Sequence, residues 1–149
     1  MDLQRKIIDV PPSDVAKDKI VIVKTSRYNN FFFDWKKLKE WKDHFIFISL
    51  DAEHEAFCKD IFEVERYKAE DALDVAKAMS GAKLVIGNQG GLYAIAEMMK
   101  APRCLATAEM MKHNDRIFPG PVNVLPQGGK ATIAPVVAKA VDAIEEALE

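Results

Sequence analysis

Residues 83–99 read KLVIGNQGGLYAIAEMM, and this stretch carries the strongest indication of the fold. Its first part, Lys83–Gly87, is an apolar run that predicts a buried strand. Its last part, Leu92–Met99, has apolar residues at helical spacing and predicts a helix. A strand that passes through a Gly-Gly turn into a helix is the first part of a β-α-β unit, so the stretch predicts an α/β domain.

The same alternation of strand and helix signals continues on both sides of this stretch. Lys19–Lys24 and Phe45–Leu50 are apolar runs typical of buried parallel strands. Weaker strand signals lie at Ile61–Tyr67, Arg103–Ala106 and Val122–Leu125. Because helical segments of about ten residues separate the strands, we expect a mostly parallel sheet with right-handed crossovers.

The helical segments carry recognisable start and stop signals. Asp34 and Asp51 are each placed to cap a helix, the first of which carries Trp35, Leu38 and Trp41. A helix over Ala69–Met79 is expected to end at Gly81 in the left-handed conformation. The last helix has Thr132 as its cap, Pro135 in its first turn, and one apolar stripe: Ile133, Val136, Val137, Ala140, Val141, Ile144 and Leu148.

The predicted fold is a three-layer Rossmann-like sandwich over residues 19–149, after a lead-in at 1–18. In such sheets, ligands bind beyond the carboxyl ends of the strands. This rule selects the loops 25–33, 88–92 and 107–121 as candidate binding segments.

Composition excludes several classes of protein. The 149 residues have a net charge of −2, so a nucleic-acid partner is not expected. No apolar run approaches the ~20 residues of a membrane span, and no secretory signal is visible. Two cysteines, Cys58 and Cys104, form neither a disulfide framework nor a zinc site. We therefore expect a cytoplasmic protein with reduced thiols.

The Gly-Gly turn has the physical properties of a diphosphate cradle. Glycines allow close backbone approach, and the first amides and the dipole of the following helix favour an anion. The alternative is a tight turn whose residues are small for packing alone. The order is neither G-x-G-x-x-G nor that of a P-loop. Glu97 could accept hydrogen bonds from two ribose hydroxyls, or it could be a solvated surface group.

The segment from Gly87 to Pro102 resembles the nucleotide-sugar half of GT-B glycosyltransferases. The nearest pattern is that of heptosyltransferases of lipopolysaccharide synthesis, G-N-D-S-G-P-x-H-x-A followed later by Pro. The positions that match without a gap are Gly87, Asn88, Gly91, Ala96 and Pro102. Thr25-Ser26, Arg27 and a helix led by Trp35 also match the small or hydroxyl turn, basic residue and Trp-led helix of that family. The family's Asp, Ser, Pro and His are here Gln89, Gly90, Leu92 and Ala94.

The resemblance implies binding of a nucleotide-diphosphate sugar, with transfer of a hexosyl or heptosyl group. It places the diphosphate against Asn88, Gln89, Gly90, Gly91 and Leu92, near Thr25 and Ser26, with Arg27 neutralising its charge. Glu97 does not match the heptosyltransferase pattern, but many other GT-B enzymes place a ribose-binding glutamate on this helix, so Glu97 is an expected ribose contact. His113, in the long loop near the expected ligand edge, is a candidate sugar contact. No metal and no further cofactor is implied.

The acceptor site and catalytic base of GT-B enzymes lie in a second domain, for which this chain has no room. The expected partner is an N-terminal acceptor domain, a separate subunit or a second copy of the chain. The isolated chain is expected to be inactive in transfer. The competing hypotheses are a non-catalytic module that binds a nucleotide or phosphorylated metabolite, and a domain whose glycine turn is purely structural. His54 is expected to be a solvated surface group, and Phe31–Phe33 to be core or part of a covered interface.

Overall fold

The computed structural model describes residues 8–26, 33–88, 90–106, 131–134 and 137–149. Within these ranges the chain forms five strands, one 3₁₀ helix and four α-helices. The strands are β1 (Ile20–Val23), β2 (Phe45–Phe47), β3 (Leu84–Gly87), β4 (Arg103–Ala106) and β5 (Ala131–Ala134). The helices are the 3₁₀ helix Trp35–His44, α1 (Asp51–Asp60), α2 (Ala72–Gly81), α3 (Gly91–Met99) and α4 (Val137–Ala147).

The five strands form one parallel sheet in the order β2-β1-β3-β4-β5. The predicted strand at Ile61–Tyr67 is reduced to a single parallel bridge between Arg66 and Phe47 of β2. There, the Phe47 N–H donates to the Glu65 carbonyl at 2.7 Å, and the Tyr67 N–H donates to the Phe47 carbonyl at 3.0 Å. With this segment counted as the outermost position, the order is 3-2-1-4-5-6, which is that of Rossmann folds.

Two apolar clusters cover the two faces of the sheet, because successive side chains of a strand point to opposite sides. Ile20 and Ile22 of β1 pack towards the 3₁₀ helix, α1 and α4, through Trp35, Phe57 and Ile144. Val21 and Val23 pack on the opposite face towards α2 and α3, through Met79 and Tyr93. The predicted three-layer α/β architecture is therefore confirmed.

The first helix is of the 3₁₀ type, and its apolar spacing explains why. Trp35, Leu38 and Trp41 recur every three residues, which is the period at which side chains of a 3₁₀ helix align. Trp35 and Leu38 are buried, and Trp41 is packed against the same cluster. Asp34 caps the helix as predicted, since its side chain accepts from the Lys36 N–H at 3.1 Å.

Two predicted helix signals are wrong in detail. Asp51 is the first residue of α1 and not its cap, which is Leu50. The Asp51 carboxylate is instead paired with Arg66. Gly81 is the last residue of α2, with an extended Ala82 after it. A Cβ at Gly81 would lie 2.6 Å from the Ser13 carbonyl oxygen, so close approach of the lead-in explains this glycine.

The segment predicted as a lead-in packs onto the domain from residue 8 onwards. The Ser13 N–H donates to the Lys77 carbonyl at 3.0 Å, and the Ser80 hydroxyl donates to the Val10 carbonyl at 3.0 Å. Ala16 is fully buried in the cluster on the α2 and α3 face. This part of the lead-in is therefore a structural element of the α2 face.

The start of the last predicted helix is also wrong. Residues 131–134 form β5, which pairs with β4 in the register Cys104 with Thr132, and α4 begins only at Val137. The sequence contains a reason, because a residue that precedes proline, here Ala134, disfavours the helical region. The predicted strand Val122–Leu125 lies outside the described residues.

Candidate functional site at the carboxyl edge of the sheet

The two central strands β1 and β3 end side by side, and the chain leaves them towards opposite faces of the sheet. After β1 it continues to the 3₁₀ helix on one face, and after β3 it enters α3 on the other. Adjacent parallel strands with divergent connections leave a crevice at their carboxyl ends, which is the usual ligand position in open α/β sheets. The described starts of the predicted loops, residues 25–26 after β1 and 88 after β3, therefore meet at this crevice.

Asn88 ties these two loops together. Its side chain is 3% exposed, its Oδ1 accepts from the Thr25 N–H at 2.9 Å, and its Nδ2 donates to the Thr25 carbonyl at 2.8 Å. The Asn88 side chain thus makes two hydrogen bonds to the backbone of Thr25. These bonds continue the contact between the two strands just past the last paired residues, Val23 and Gly87. Thr25 and Asn88 both lie at the crevice, and the Asn88 amide holds the backbone of the β1 loop there at Thr25.

The glycines of the turn have three different environments. A Cβ at Gly87 would lie 2.6 Å from Val23 Cγ2 and 2.8 Å from the Val23 carbonyl oxygen, so packing within the sheet requires this glycine. A Cβ at Gly90 would lie 3.3 Å from Thr25 Cγ2, and the backbone there is extended. A Cβ at Gly91 would meet none of the described residues within 4 Å. Packing therefore explains Gly87, whereas the space beside Gly91 is open as far as the described residues extend.

The N-terminus of α3 borders this open space. Gly90 is the N-cap residue, and a glycine has no side chain with which to cap the helix. The first intrahelical bond runs from the Ala94 N–H to the Gly90 carbonyl at 3.1 Å. Amides in the first turn of an α-helix cannot bond within the helix, and they carry the positive end of the helix dipole. An anion could accept hydrogen bonds from the amides around Gly91 and Leu92.

A cleft of about 420 Å³ adjoins the β1 loop on the side of the 3₁₀ helix and α1. Its floor is aromatic and includes Trp35 and Phe57. Ser26 lies on its rim and donates its hydroxyl hydrogen bond to Glu53 Oε2 at 2.7 Å. The cleft therefore combines an apolar floor with a polar rim that begins at the predicted site residue Ser26.

The charges around the cleft nearly balance. Its lining includes the cations Lys24 and Lys36 and the carboxylates of Asp34, Glu53 and Asp60. Burial lowers the pKa of the Lys24 amine below its usual value, although Glu53 and Asp60 act in the opposite direction. Among the described lining residues, two cations against three anions do not favour a second phosphate site in this cleft. These charged groups favour an uncharged part of a ligand whose hydroxyls can both donate and accept hydrogen bonds.

Glu97 lies away from the crevice, at the other end of α3. It is six residues beyond Gly91, which corresponds to about 9 Å along a helix. Its carboxylate is buried and paired with Arg103 Nε at the start of β4, and with Lys100 Nζ at 3.3 Å. Arg103 is itself fully buried and donates through Nη1 to the Ala101 carbonyl at 3.0 Å. These contacts do not support the ribose contact expected of Glu97.

Three predicted site residues, Arg27, Gln89 and His113, lie outside the described residues, as do Phe31 and Phe32. Phe33 is a core residue, with its ring centroid 4.9 Å from that of Trp35. His54 was expected to be a solvated surface group, but it is half-buried. Its Nε2 lies 3.0 Å from the Val64 carbonyl oxygen and 3.3 Å from Cys58 Sγ.

Sequence reasoning missed Lys24 and Glu53 as site residues. Lys24 directly follows an apolar strand, so its position at the carboxyl edge of the sheet could have been inferred from the sequence. Glu53 lies in an acidic stretch that also fits a solvated helix face. Only the packing of α1 beside the β1 loop brings it to Ser26.

Comparison with known proteins gives no relative on which to base a function. The chain matches no protein-family model, no curated protein and no solved structure. Among the residues that the structure describes, no helix has the length and apolar character to cross a membrane. In the same ranges, no three side chains of His, Cys, Asp or Glu come together as a metal site.

Proposed function

We propose that the chain binds a nucleotide-diphosphate sugar in the crevice between the β1 loop and α3. The observation that carries this proposal is the α3 N-terminus, at the point where β1 and β3 diverge, where no residue that the structure describes lies within 4 Å of a Cβ at Gly91. The diphosphate lies against the amides around Gly91 and Leu92, which need no side chain to hold it.

The hydroxyl-bearing part of the ligand occupies the cleft beside Ser26. The support for this placement is chemical: an aromatic floor, a near balance of charge, and a carboxylate that already accepts from a hydroxyl at 2.7 Å. Glu53 thus accepts the hydrogen bonds from ligand hydroxyls that the sequence suggested for Glu97. A ligand hydroxyl can replace or join the Ser26 hydroxyl at Glu53 Oε2.

The further proposal that the chain is the donor-binding half of a glycosyltransferase comes from the heptosyltransferase-like pattern from Gly87 to Pro102. In that role the helix amides stabilise the leaving nucleoside diphosphate as its negative charge develops. The base that activates the acceptor hydroxyl is on another domain or subunit. Robust sugar transfer by this chain alone contradicts this part of the proposal.

The second candidate is a non-catalytic module that binds a nucleotide or phosphorylated metabolite. The ion pairs of Glu97 with Arg103 and Lys100 favour it, because they engage the carboxylate that the resemblance to GT-B enzymes assigned to a ribose. The two candidates share the phosphate site at Gly91 and differ in whether the cleft selects a sugar-bearing ligand.

Titration calorimetry of three ligands tests the proposal: pyrophosphate, a ribonucleoside diphosphate, and its sugar conjugate. Gly91→Val fills the open space and should weaken all three by about 10-fold or more. Glu53→Gln should weaken both nucleotides by about 10-fold and leave pyrophosphate unchanged, because a hydrogen bond to a charged group contributes about 1.5–3 kcal/mol.

Glu55→Gln is the matched control, since Glu55 is exposed on the same helix. It should leave every affinity unchanged. If Gly91→Val binds all ligands as tightly as the unaltered chain, the phosphate site is not at α3. If the nucleotide and its sugar conjugate bind equally, the non-catalytic module is the better assignment.

A further inference from the structure

The amine of Lys24 has a distinctive position in the fold. Lys24 is the first residue after β1, at the carboxyl edge of the sheet, and its half-buried side chain lines the cleft beside Ser26. Its Nζ is 3.5 Å from the Thr25 carbonyl oxygen, which places the amine at the β1 loop. The amine therefore lies where a ligand in the cleft can reach it.

The Lys24 amine is partly shielded from water, and the carboxylates of Glu53 and Asp60 lie near it. Burial is the largest influence on the Lys24 pKa and lowers it, so the neutral amine forms more readily than that of an exposed lysine. Glu53 and Asp60 oppose this shift, and they are carboxylates that can accept or return a proton. Among the described residues, the other charged groups that line the cleft are Asp34 and Lys36. Desolvation is one of the ways in which a lysine amine is activated as a nucleophile.

We propose that Lys24 is a nucleophilic lysine that captures an aldehyde or ketone in the cleft as an imine. The neutral Nζ attacks the carbonyl carbon and forms the N–C bond, while the carbonyl oxygen takes up a proton. The resulting carbinolamine then loses its hydroxyl group as water, with a proton passed through a carboxylate such as Glu53. The balance is one amine and one carbonyl converted to one imine and one water, with no oxidant or reductant.

This inference goes beyond the proposed function, because nucleotide binding requires no covalent step. The two are tested separately. Imine formation is measured without nucleotide, so a chain that binds no nucleotide can still show it. A chain that binds nucleotides can equally lack a reactive Lys24.

The test is reductive trapping of the full chain with glyceraldehyde, a small uncharged aldehyde, at neutral pH. Cyanoborohydride supplies the hydride that converts each imine to a stable secondary amine, and peptide mass spectrometry measures the modified fraction at every lysine. Lys68 is the internal reference, since its side chain is 76% exposed. We expect Lys24 to be modified several-fold faster than Lys68.

Lys24→Arg keeps the positive charge and cannot form this imine. It should remove the fast component of trapping and leave the modification of the other lysines unchanged. The inference is wrong if Lys24 in the unaltered chain is modified no faster than Lys68. It is equally wrong if the fast component persists in Lys24→Arg. Since the first comparison uses the unaltered chain, it does not depend on the folding of a variant.

Discussion

The two ends of α3 differ in how their polar groups are satisfied. At the N-terminal end, within the part of the chain that the structure describes, no side chain caps the first turn and no residue lies within 4 Å of a Cβ at Gly91. At the C-terminal end, Glu97, Lys100 and Arg103 form a buried charge cluster with its own partners. The N-terminal end of α3 is thus suited to binding an anionic ligand, whereas the charged groups at the C-terminal end are already paired with one another.

The N-terminus of α2 shows that an open helix end is not a general property of this fold. Asp71 caps α2 by accepting from the Asp74 N–H at 2.8 Å. The Asp74 carboxylate in turn accepts from the Glu70 N–H at 2.9 Å and from the Tyr67 hydroxyl. Carboxylates of the chain itself occupy the site that an anion would take at this helix. α1 also begins without a side-chain cap, at Leu50, but its first turn carries Asp51 and Glu53, whereas the first turn of α3 has no acidic residue. These differences mark the α3 N-terminus as the candidate binding end.

The largest expected effect concerns the closed end of α3. Glu97→Ala leaves Arg103 buried without its carboxylate, which should lower the free energy of unfolding by about 3–5 kcal/mol. Urea denaturation measures the loss. Glu55→Ala, at an exposed position, should change it by less than about 0.5 kcal/mol. Equal effects of the two changes would mean that Glu97 is an ordinary surface residue.

The alternation of β-branched runs and helical spacing was sufficient to predict the α/β fold, because these patterns follow directly from burial on two faces of a sheet. The glycine turn was also located correctly. The role of Glu97 was not predictable, since its partner Arg103 is brought to it by the packing of α3 against β4. Sequence gives the position of Glu97 along the helix but not which buried cation it meets.

The remaining differences have similarly specific causes. The helix start expected at Thr132 was wrong, because residues 131–134 gain backbone pairing with β4 as an edge strand. Gly81 was read as a left-handed cap, although contact with Ser13, distant in sequence, explains it better. In both cases a long-range contact determined the outcome, and local patterns carry no information about such contacts.

An effect of intermediate size on stability should distinguish Gly87, which is packed against Val23, from Gly91. Gly87→Ala forces a methyl group against Val23 and should cost about 1–3 kcal/mol of stability. Gly91→Ala places its methyl group in open space and should leave stability unchanged or raise it by up to about 1 kcal/mol. Thermal or urea denaturation of both variants checks this. Similar losses in both would contradict the assignment of open space to Gly91.

The smallest expected effect concerns the capped end of α2. Hydrogen bonds from the Glu70 N–H and the Tyr67 hydroxyl hold the pKa of Asp74 below its usual value of 3.8. The folded chain therefore binds this proton less readily than the unfolded chain. The stabilisation is present above about pH 3.8 and is lost as the pH falls through the lower, folded-state pKa. Denaturation of Asp74→Asn across this range should show a weaker acid dependence than the unaltered chain; identical profiles would contradict it.

The central claim is that a phosphate-bearing ligand binds at the open end of α3 and not at its closed end. Two-dimensional NMR of the ¹⁵N-labelled chain, titrated with a ribonucleoside diphosphate, tests this claim most directly. The account predicts that the backbone amides of Gly90, Gly91 and Leu92 shift most and saturate together. The amides from Glu97 to Arg103 should move little. The largest shifts at Glu97 to Arg103, or no saturable shift at Gly91, would contradict the account.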